Sequence, residues 1–260
     1  YYCTQHSGMG GQANTNSTHG SSNFSGSIQS TVSASTTAGL SIVSYTGTGS
    51  NATVGHGLGV APKVLILKSR TRSDGQWSVG SDMLGWSKFL FLDATSAEQT
   101  FNLYQNTAPT SSVFYLSSDG GVNQSSGNMI GYAFAEKKGY SKFGSYTGNG
   151  SSNGTFIYTG FKPSLILMKS SSHAVNWKIH DNKRDAINDG VSASINVNES
   201  DAEDDNSAYA IDFLSNGFKQ RNSNSNMNNS GYTYIYMAFA ESPFTSSNGV
   251  PTNARWPMMK

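Results

Sequence analysis

The sequence Ser44-Tyr45-Thr46-Gly47-Thr48-Gly49, followed by the apolar run KVLILK at residues 63–68, decides the fold because it occurs twice. The second copy reads SYTGNG at residues 145–150 and leads into LILMK at residues 165–169. Corresponding tyrosines of the two copies are 101 positions apart. Blocks that recur in the same order at nearly constant spacing indicate an internal duplication. We therefore predict two tandem copies of one module.

The end of each copy supports the same division. The phrase GYAFAE at residues 131–136 returns as YMAFAE at residues 236–241. The predicted domains are the end of a preceding module with a Ser/Thr/Gly/Asn-rich connector (1–38), the first module (39–138), the second module (139–244) and a C-terminal tail (245–260). Because the chain starts at Tyr1 without a methionine, we expect it to be a processed or partial piece of a longer protein.

Composition and pattern predict an all-β fold. Gly, Ser, Thr and Asn are abundant and aromatic residues reach 12%, as in turn-rich β structure. Short β-branched and aromatic runs such as 40–45 and 129–136 have strand length, and Asn216-Gly217 is a hairpin signal. The stretch 94–101 is the one segment that could form a short helical turn. Each module is therefore predicted to be an antiparallel β-sandwich of about six to eight strands.

Charge and cysteine content exclude several protein classes. Charged residues make up 13% of the chain and the net charge is +1, which argues against a nucleic-acid-binding surface. Cys3 is the single cysteine, so an internal disulfide and a cysteine metal cluster are both excluded. No run approaches 18 apolar residues, so we expect no membrane insertion. The Gly-Thr-Gly turns lack the Lys-Ser/Thr pair of a phosphate loop, and no cofactor is expected.

Four longer phrases carry a resemblance to a known family. They are TGTGSNATVGHGLGVAPK (46–63), GYAFAEKKGYSKFGSYTGNGSSNGTFIYTGFKP (131–163), DFLSNGFKQR (212–221) and SGYTYIYMAFAESPF (230–244). The chain resembles a tandem β-sandwich repeat family of virion structural proteins, of tail or fibre type, in marine bacteriophages. The order of its hairpins and strands is also similar to H-type lectin-like domains at the tips of phage fibres. The resemblance covers about residues 24–254.

The resemblance implies a function and partners. It implies a non-catalytic component of a tail fibre or spike on the virion surface, which mediates host attachment. Such proteins are usually homotrimers, so we expect self-association, contacts with other virion proteins, and binding to a host-surface glycan or protein. One alternative is a capsid or tail decoration protein, or another extracellular filament subunit, without a receptor role. A more remote alternative is a polysaccharide-degrading spike enzyme, which would need two converging carboxylates.

Four residues are candidates for ligand binding. Trp77 and Trp177 recur at matching places, and exposed aromatic rings can stack on sugars. His56 stands between two glycines, and Tyr158 or a neighbour falls at the matching place in the second copy. Each has a structural alternative, since repeated aromatics often pack a core and a lone histidine needs a partner to act as a base.

One acidic cluster is a weak candidate for calcium. Its alternating carboxylates are Glu199, Asp201, Glu203 and Asp205. Oxygen ligands at such spacing can hold Ca²⁺, although the loop fits no EF-hand pattern. The alternative is a solvated acidic loop. The loop acids offered for glycoside cleavage are Asp74, Asp82, Asp93, Asp181, Asp185 and Asp189, whose sequence spacing shows no pattern.

Overall fold

The computed structural model describes residues 20–184 and 188–241. The predicted strand end at residues 1–4, Cys3, Asp185 and the predicted tail at 245–260 lie outside the described residues. The elements in chain order are β1 (Ser21–Asn23), β2 (Ser30–Ser35), β3 (Leu40–Thr46), β4 (Ala52–Gly55), β5 (Val64–Ser69), β6 (Ser78–Ser81), β7 (Lys88–Phe91), β8 (Gln99–Thr100), β9 (Val113–Leu116), α1 (Gly120–Asn123), β10 (Asn128–Phe134), β11 (Ser141–Thr147), β12 (Phe156–Tyr158), β13 (Leu165–Ser170), β14 (Lys178–Asp181), β15 (Ser192–Asn196), β16 (Asp204–Asn206), a 3₁₀ turn (Ser207–Tyr209), β17 (Ile211–Leu214), β18 (Gly217–Gln220) and β19 (Thr233–Phe239).

The first compact unit contains residues 20–88 and 101–135. Its larger sheet runs in the order β1-β2-β3-β10-β5-β6. Neighbouring strands of this sheet are antiparallel, and β10 pairs with β3 on one side and with β5 on the other. A second, two-stranded layer is formed by β4 and β9. The ring of Tyr45 on β3 meets the ring of Phe114 on β9 edge-on at 6.2 Å, so the two layers enclose a core.

The second compact unit contains residues 89–100, 136–184 and 188–241. Its larger sheet has the order β11-β19-β13-β14-β15-β16, and its smaller sheet has the order β12-β18-β17. Both sheets are antiparallel. Tyr146 on β11 meets Phe218 on β18 edge-on at 6.4 Å, and both side chains belong to the buried core between the sheets. The predicted all-β, antiparallel sandwich class is thereby confirmed.

Each unit contains the same tyrosine hydrogen bond and the same tightly packed glycine at corresponding positions. The hydroxyl of Tyr45 donates to the carbonyl of Val122 at 2.6 Å, and the hydroxyl of Tyr146 donates to the carbonyl of Met227 at 2.7 Å. Gly47 and Gly148 each pass so close to a backbone carbonyl that a Cβ atom there would collide with it. Such matching contacts are what the predicted duplication would produce, and they explain why a glycine is needed at both positions.

Two local expectations differ from the structure. Residues 94–101 form no helix, and Gln99–Thr100 is the short strand β8. The expected helical turn is wrong, and the described residues form their helical turns at α1 and at Ser207–Tyr209, where the side chains of Asp119 and Asn206 cap the first turn. The described part of the expected connector carries β1 and β2, and its Ile28 is buried. β2 lies between β1 and β3 and pairs with both, so this Ser/Thr-rich segment is an interior strand of the sheet.

Candidate functional site

The two matching tryptophans lie in different environments. Trp177 is 2% exposed, and its indole N–H donates to the carbonyl of Phe91 at 2.8 Å. Trp77 is half-buried, lies 6.1 Å from the ring of Tyr132, and has the Lys68 ammonium 5.3 Å from its centroid. Trp177 therefore packs the core of its unit, whereas Trp77 keeps part of its ring at the surface.

His56 is a buried corner residue. The amide of Leu58 donates to its Nδ1 at 3.2 Å, so the proton resides on Nε2, which lies 3.1 Å from the carbonyl of Thr110. Burial lowers the pKa of His56, and the Thr110 carbonyl opposes that shift. The neutral ring is thus hydrogen-bonded on both sides by the backbone. It is fully buried and has no surface to offer a ligand.

The structure also shows which residue of the second unit matches His56. In each unit, an apolar residue of the short strand (β4 or β12) pairs with a phenylalanine of its neighbour. Counting from that pair puts Thr159 at the place of His56 and Tyr158 at the place of Gly55. Thr159 is buried like His56, whereas Tyr158 is 65% exposed. The neighbour, and not Tyr158 itself, is the residue that corresponds to the histidine.

Tyr158 is part of an exposed aromatic surface, which we define as Phe156 and Tyr158. Both project from the same face of β12, because the intervening Ile157 points into the core. Phe156 is 43% exposed, and its ring edge lies against Gly217 of β18, where a Cβ atom would be 3.1 Å away. Two large rings at positions i and i+2 of one strand give a flat, rigid surface that faces solvent.

Polar side chains border the aromatic surface. Lys219 is opposite Phe156 in register, and its ammonium donates to the side-chain oxygen of Asn153 at 2.7 Å. On the next strand, the Asp212 carboxylate lies 3.3 Å from the Arg221 guanidinium. The surface therefore combines apolar rings with hydrogen-bonding groups at its edge.

The equivalent face of the first unit is covered by the chain itself. The amide of Thr53 donates to the hydroxyl of Ser27 at 2.9 Å, and the amide of Ile28 donates to the carbonyl of Thr53 at 3.0 Å. The side chain of Asn23 fills the space beside Gly55. In the described part of the second unit, β12 is paired only with β18, so no strand covers this face. Among the described residues, a pair of exposed rings on this short strand is thus found in the second unit and not in the first.

A family model was compared with the chain. The model described as a domain of unknown function (DUF7483) matches residues 13–243, which is most of the chain. The chain belongs to the DUF7483 family. A search of the curated proteins and a search of the solved structures each found no match.

In this DUF7483 chain, the acidic cluster is largely engaged by other side chains. The Arg184 guanidinium holds the Glu203 carboxylate at 2.6 Å. The amide of Asn196 donates to Glu199 at 3.0 Å and to Asp201 at 3.3 Å, while Asp205 lies in β16. Across the described residues, no group of three or more His, Cys, Asp or Glu side chains is placed to hold a metal ion. Calcium binding stays a prediction from sequence spacing.

The loop acids offered for glycoside cleavage have separate partners. Asp74 lies 2.6 Å from the Arg72 guanidinium, and this pairing lowers the pKa of Asp74. Asp82 accepts a hydrogen bond of 2.7 Å from the Trp86 indole N–H. Asp181, in the other unit, pairs with Arg184 at 2.6 Å. Each of these three carboxylates thus stabilises a loop or turn of its own unit.

Sequence reasoning missed a buried polar cluster in the second unit. The Lys178 ammonium lies 3.2 Å from the Asp204 carboxylate, 3.3 Å from the Ser194 hydroxyl and 3.4 Å from the centroid of the Tyr209 ring. Burial lowers the pKa of Lys178, and Asp204 opposes the shift. His180 is on the same face of β14 and is also buried. The alternation along KIHD could have indicated two inward polar side chains.

The repeated lysine of the two apolar runs has a structural role in both units. The Lys68 ammonium donates to the carbonyl of Gly75 at 2.6 Å. The Lys169 ammonium donates to the carbonyls of Ser170 and His173 at 2.7 and 3.1 Å. Lys169 is the more deeply buried of the two, and burial lowers its pKa to about 8. Each lysine therefore stabilises the loop that follows its strand by hydrogen bonds to the loop carbonyls.

None of the helices in the described residues is long and apolar enough to cross a bilayer.

Proposed function

We propose that this DUF7483 chain is a non-catalytic structural protein of a bacteriophage virion, of tail-fibre or spike type, which attaches to the host surface. The observation that carries the proposal is the exposed aromatic surface of Phe156 and Tyr158. A large apolar patch bordered by polar groups is typical of a binding site on an exported protein. The β-sandwich fold and the resemblance to phage fibre repeats support the same assignment.

The proposed partner is a glycan of the host cell surface. Aromatic rings stack on the apolar faces of sugar rings, and the flanking Lys219 and Asn153 can hydrogen-bond to hydroxyls. On the virion, the chain would assemble with copies of itself as a trimer and with other virion proteins. The rings should then face outward at a distal position. An image reconstruction of the particle that buries Phe156 and Tyr158 between neighbouring chains would instead favour a decoration protein without a receptor role.

The double variant Phe156→Ala/Tyr158→Ala is expected to lose at least about tenfold in affinity, because aromatic residues at binding hot spots contribute about 2 kcal/mol or more each. The measurement is binding of the purified chain to an array of bacterial surface polysaccharides. Because both side chains are largely exposed, the free energy of unfolding should change by less than about 1 kcal/mol.

The matched control is Phe101→Ala, which removes another exposed ring, 55% accessible, from the other unit. This control should bind as the wild type does. An equal loss of affinity in the control would mean that exposed rings bind the polysaccharides nonspecifically. Undiminished binding of the double variant would exclude the aromatic surface as the attachment site.

A further inference from the structure

A polar cleft lies on the outer face of the first unit's larger sheet. It encloses about 500 Å³, within the range of about 300–1,000 Å³ that ligand sites usually have. Thr46 of β3 and Asn128 of β10 are in register, and the Asn128 carbonyl accepts the amide of Arg70 at 2.7 Å. These residues therefore form one cross-strand row along the floor of the cleft.

A second row lies beside the first. Ser44 is two positions from Thr46 and shares its face of β3, and it is in register with Thr31 of β2. Gln29, just before β2, completes the lining on that side. The cleft thus brings together hydroxyl and amide side chains from three neighbouring strands.

Six polar side chains of the cleft are available to a ligand. Among the described residues, no hydrogen bond or ion pair is made by the side chains of Gln29, Thr31, Ser44, Thr46, Arg70 or Asn128. All six are exposed. Together they present hydroxyl groups, which donate and accept, two primary amides and one guanidinium. Such a set suits a ligand that carries many hydroxyl groups.

The charge of the cleft narrows the class of ligand. Arg70 is its charged residue, and no Asp or Glu lines it. The nearby Lys68 lies on the same face but is held by the carbonyl of Gly75. A guanidinium matches a carboxylate in two parallel hydrogen bonds, so the cleft favours a ligand with one carboxylate over a highly charged polyanion.

The cleft is specific to the first unit. The position 101 residues after Arg70 is Ser171, which is buried and carries no charge. In the described part of the second unit, β11 is the edge of its sheet, so no strand corresponds to β2 there. The second unit thus forms an antiparallel sandwich without the cleft. The arginine and the flanking strand are therefore not required by the sandwich itself.

We propose that this cleft binds a carboxylated sugar residue, as found in acidic polysaccharides. Arg70 binds the carboxylate, and the hydroxyl and amide side chains of the two rows bind the ring hydroxyls. Trp77, further along the same face beside Lys68 and Tyr132, offers a ring to an adjoining sugar. This inference deepens the proposed attachment function by naming a ligand class, at a surface separate from Phe156 and Tyr158.

The test is a calorimetric titration of the purified chain with sodium glucuronate, glucose and sodium sulfate in parallel. We expect glucuronate to bind more tightly than either of the others. The variant Arg70→Gln should weaken glucuronate binding about tenfold to a hundredfold, since a hydrogen bond to a charged group contributes about 1.5–3 kcal/mol. Arg70→Lys keeps the charge but loses the two parallel hydrogen bonds. Its affinity for glucuronate should lie between those of the wild type and Arg70→Gln.

Lys138→Gln is the matched control, because it removes the same charge from an exposed position outside the cleft. It should bind glucuronate as the wild type does. Equal affinity for glucose, equal affinity for sulfate, or glucuronate affinity that Arg70→Gln leaves unchanged would each overturn the proposal.

The aromatic surface and the cleft at Arg70 are tested by different results. If the polysaccharide array shows attachment that depends on Phe156 and Tyr158 while glucuronate does not bind, only the cleft proposal is overturned. If glucuronate binds through Arg70 while the aromatic double variant attaches normally, the attachment site assigned to the aromatic surface is overturned.

Discussion

The second unit is expected to lose about 1.4 kcal/mol of its free energy of unfolding for each pH unit of acidification below about 6.5, through His180 alone. Burial, reinforced by the positive charges of Lys178 and Arg184, lowers the pKa of His180 to about 3 from an ordinary value of 6.5. Neither ring nitrogen makes a hydrogen bond of ordinary geometry within the described residues. The neutral ring is therefore strongly favoured in the folded protein.

The sign of the effect follows from proton binding. Between pH 6.5 and about 3, the unfolded chain protonates His180 and the folded chain does not. The unfolded state then binds more protons, so stability is fully present above pH 6.5 and falls as the pH is lowered. His56 in the first unit acts in the same direction, because burial lowers its pKa as well.

The variant His180→Leu isolates this contribution. Leucine suits the site, since the cross-strand neighbour of His180 is the buried Ile166, and stability near pH 7.5 should change by less than about 1.5 kcal/mol. The measurement is amide hydrogen exchange of β13 and β19 from pH 7.5 to pH 4, which follows the second unit separately. The stability of the wild type relative to the variant should fall steadily with acidification. A difference that stays constant over this pH range would contradict the prediction.

Replacing either of two buried asparagines with alanine is expected to destabilise its own unit by about 3 kcal/mol. The amide nitrogen of Asn123 donates to the carbonyls of Ser50 and Ser117 at 2.6 and 3.0 Å, and its oxygen accepts the amide of Thr48 at 2.8 Å. The side chain is fully buried. Alanine would leave the buried carbonyl of Ser117 without this partner, at about 1–3 kcal/mol, and would also remove the part-buried hydrogen bonds to Ser50 and Thr48.

Asn228 makes the same set of contacts in the second unit. Its amide nitrogen donates to the carbonyls of Ser151 and Asn222 at 2.9 and 2.7 Å, and its oxygen accepts the amide of Asn149 at 3.1 Å. Each asparagine thus fixes the base of the Gly-rich hairpin in its unit. We expect Asn123→Ala to speed hydrogen exchange in β5 and β10, and Asn228→Ala to speed it in β13 and β19.

The matched control for both variants is Asn102→Ala, because the Asn102 side chain is exposed and makes no hydrogen bond to another described residue. Its effect should be within about 0.5 kcal/mol. If Asn123→Ala or Asn228→Ala also changed the free energy of unfolding by less than that amount, the prediction that the asparagines stabilise the hairpins would be contradicted.

The strands could be predicted because their signals are local. The alternation along Leu40–Thr46 predicts one buried and one exposed face, and the structure shows that pattern. The predicted hairpin is confirmed, since β17 and β18 pair, but its two-residue turn is Ser215-Asn216 and Gly217 begins β18. Both signals depend on a few neighbouring residues, whose preferences are set by turn chemistry and the two-residue period of a strand.

The candidate sites depended on distant parts of the chain and were harder to predict. Trp77 and Trp177 stand at matching positions, yet only Trp177 is fully buried, because different segments lie beside them. The exposure of Tyr158 depends on β12 having β18 as its one partner strand among the described residues, and the cleft at Arg70 depends on the pairing of β2 with β3. The paired asparagines could have been found by aligning the two copies, since each precedes a Gly-containing turn in matching order.

The position of β10 and β19 bears on how the protein is made. Among the described residues, each is the last strand of its unit to leave the ribosome. Each lies in the middle of its sheet, β10 between β3 and β5 and β19 between β11 and β13. Until that strand emerges, its two neighbours have open edges that can pair with other chains. Folding of the first unit must therefore wait for residues 128–134, and a nascent chain that stalls earlier is exposed to aggregation.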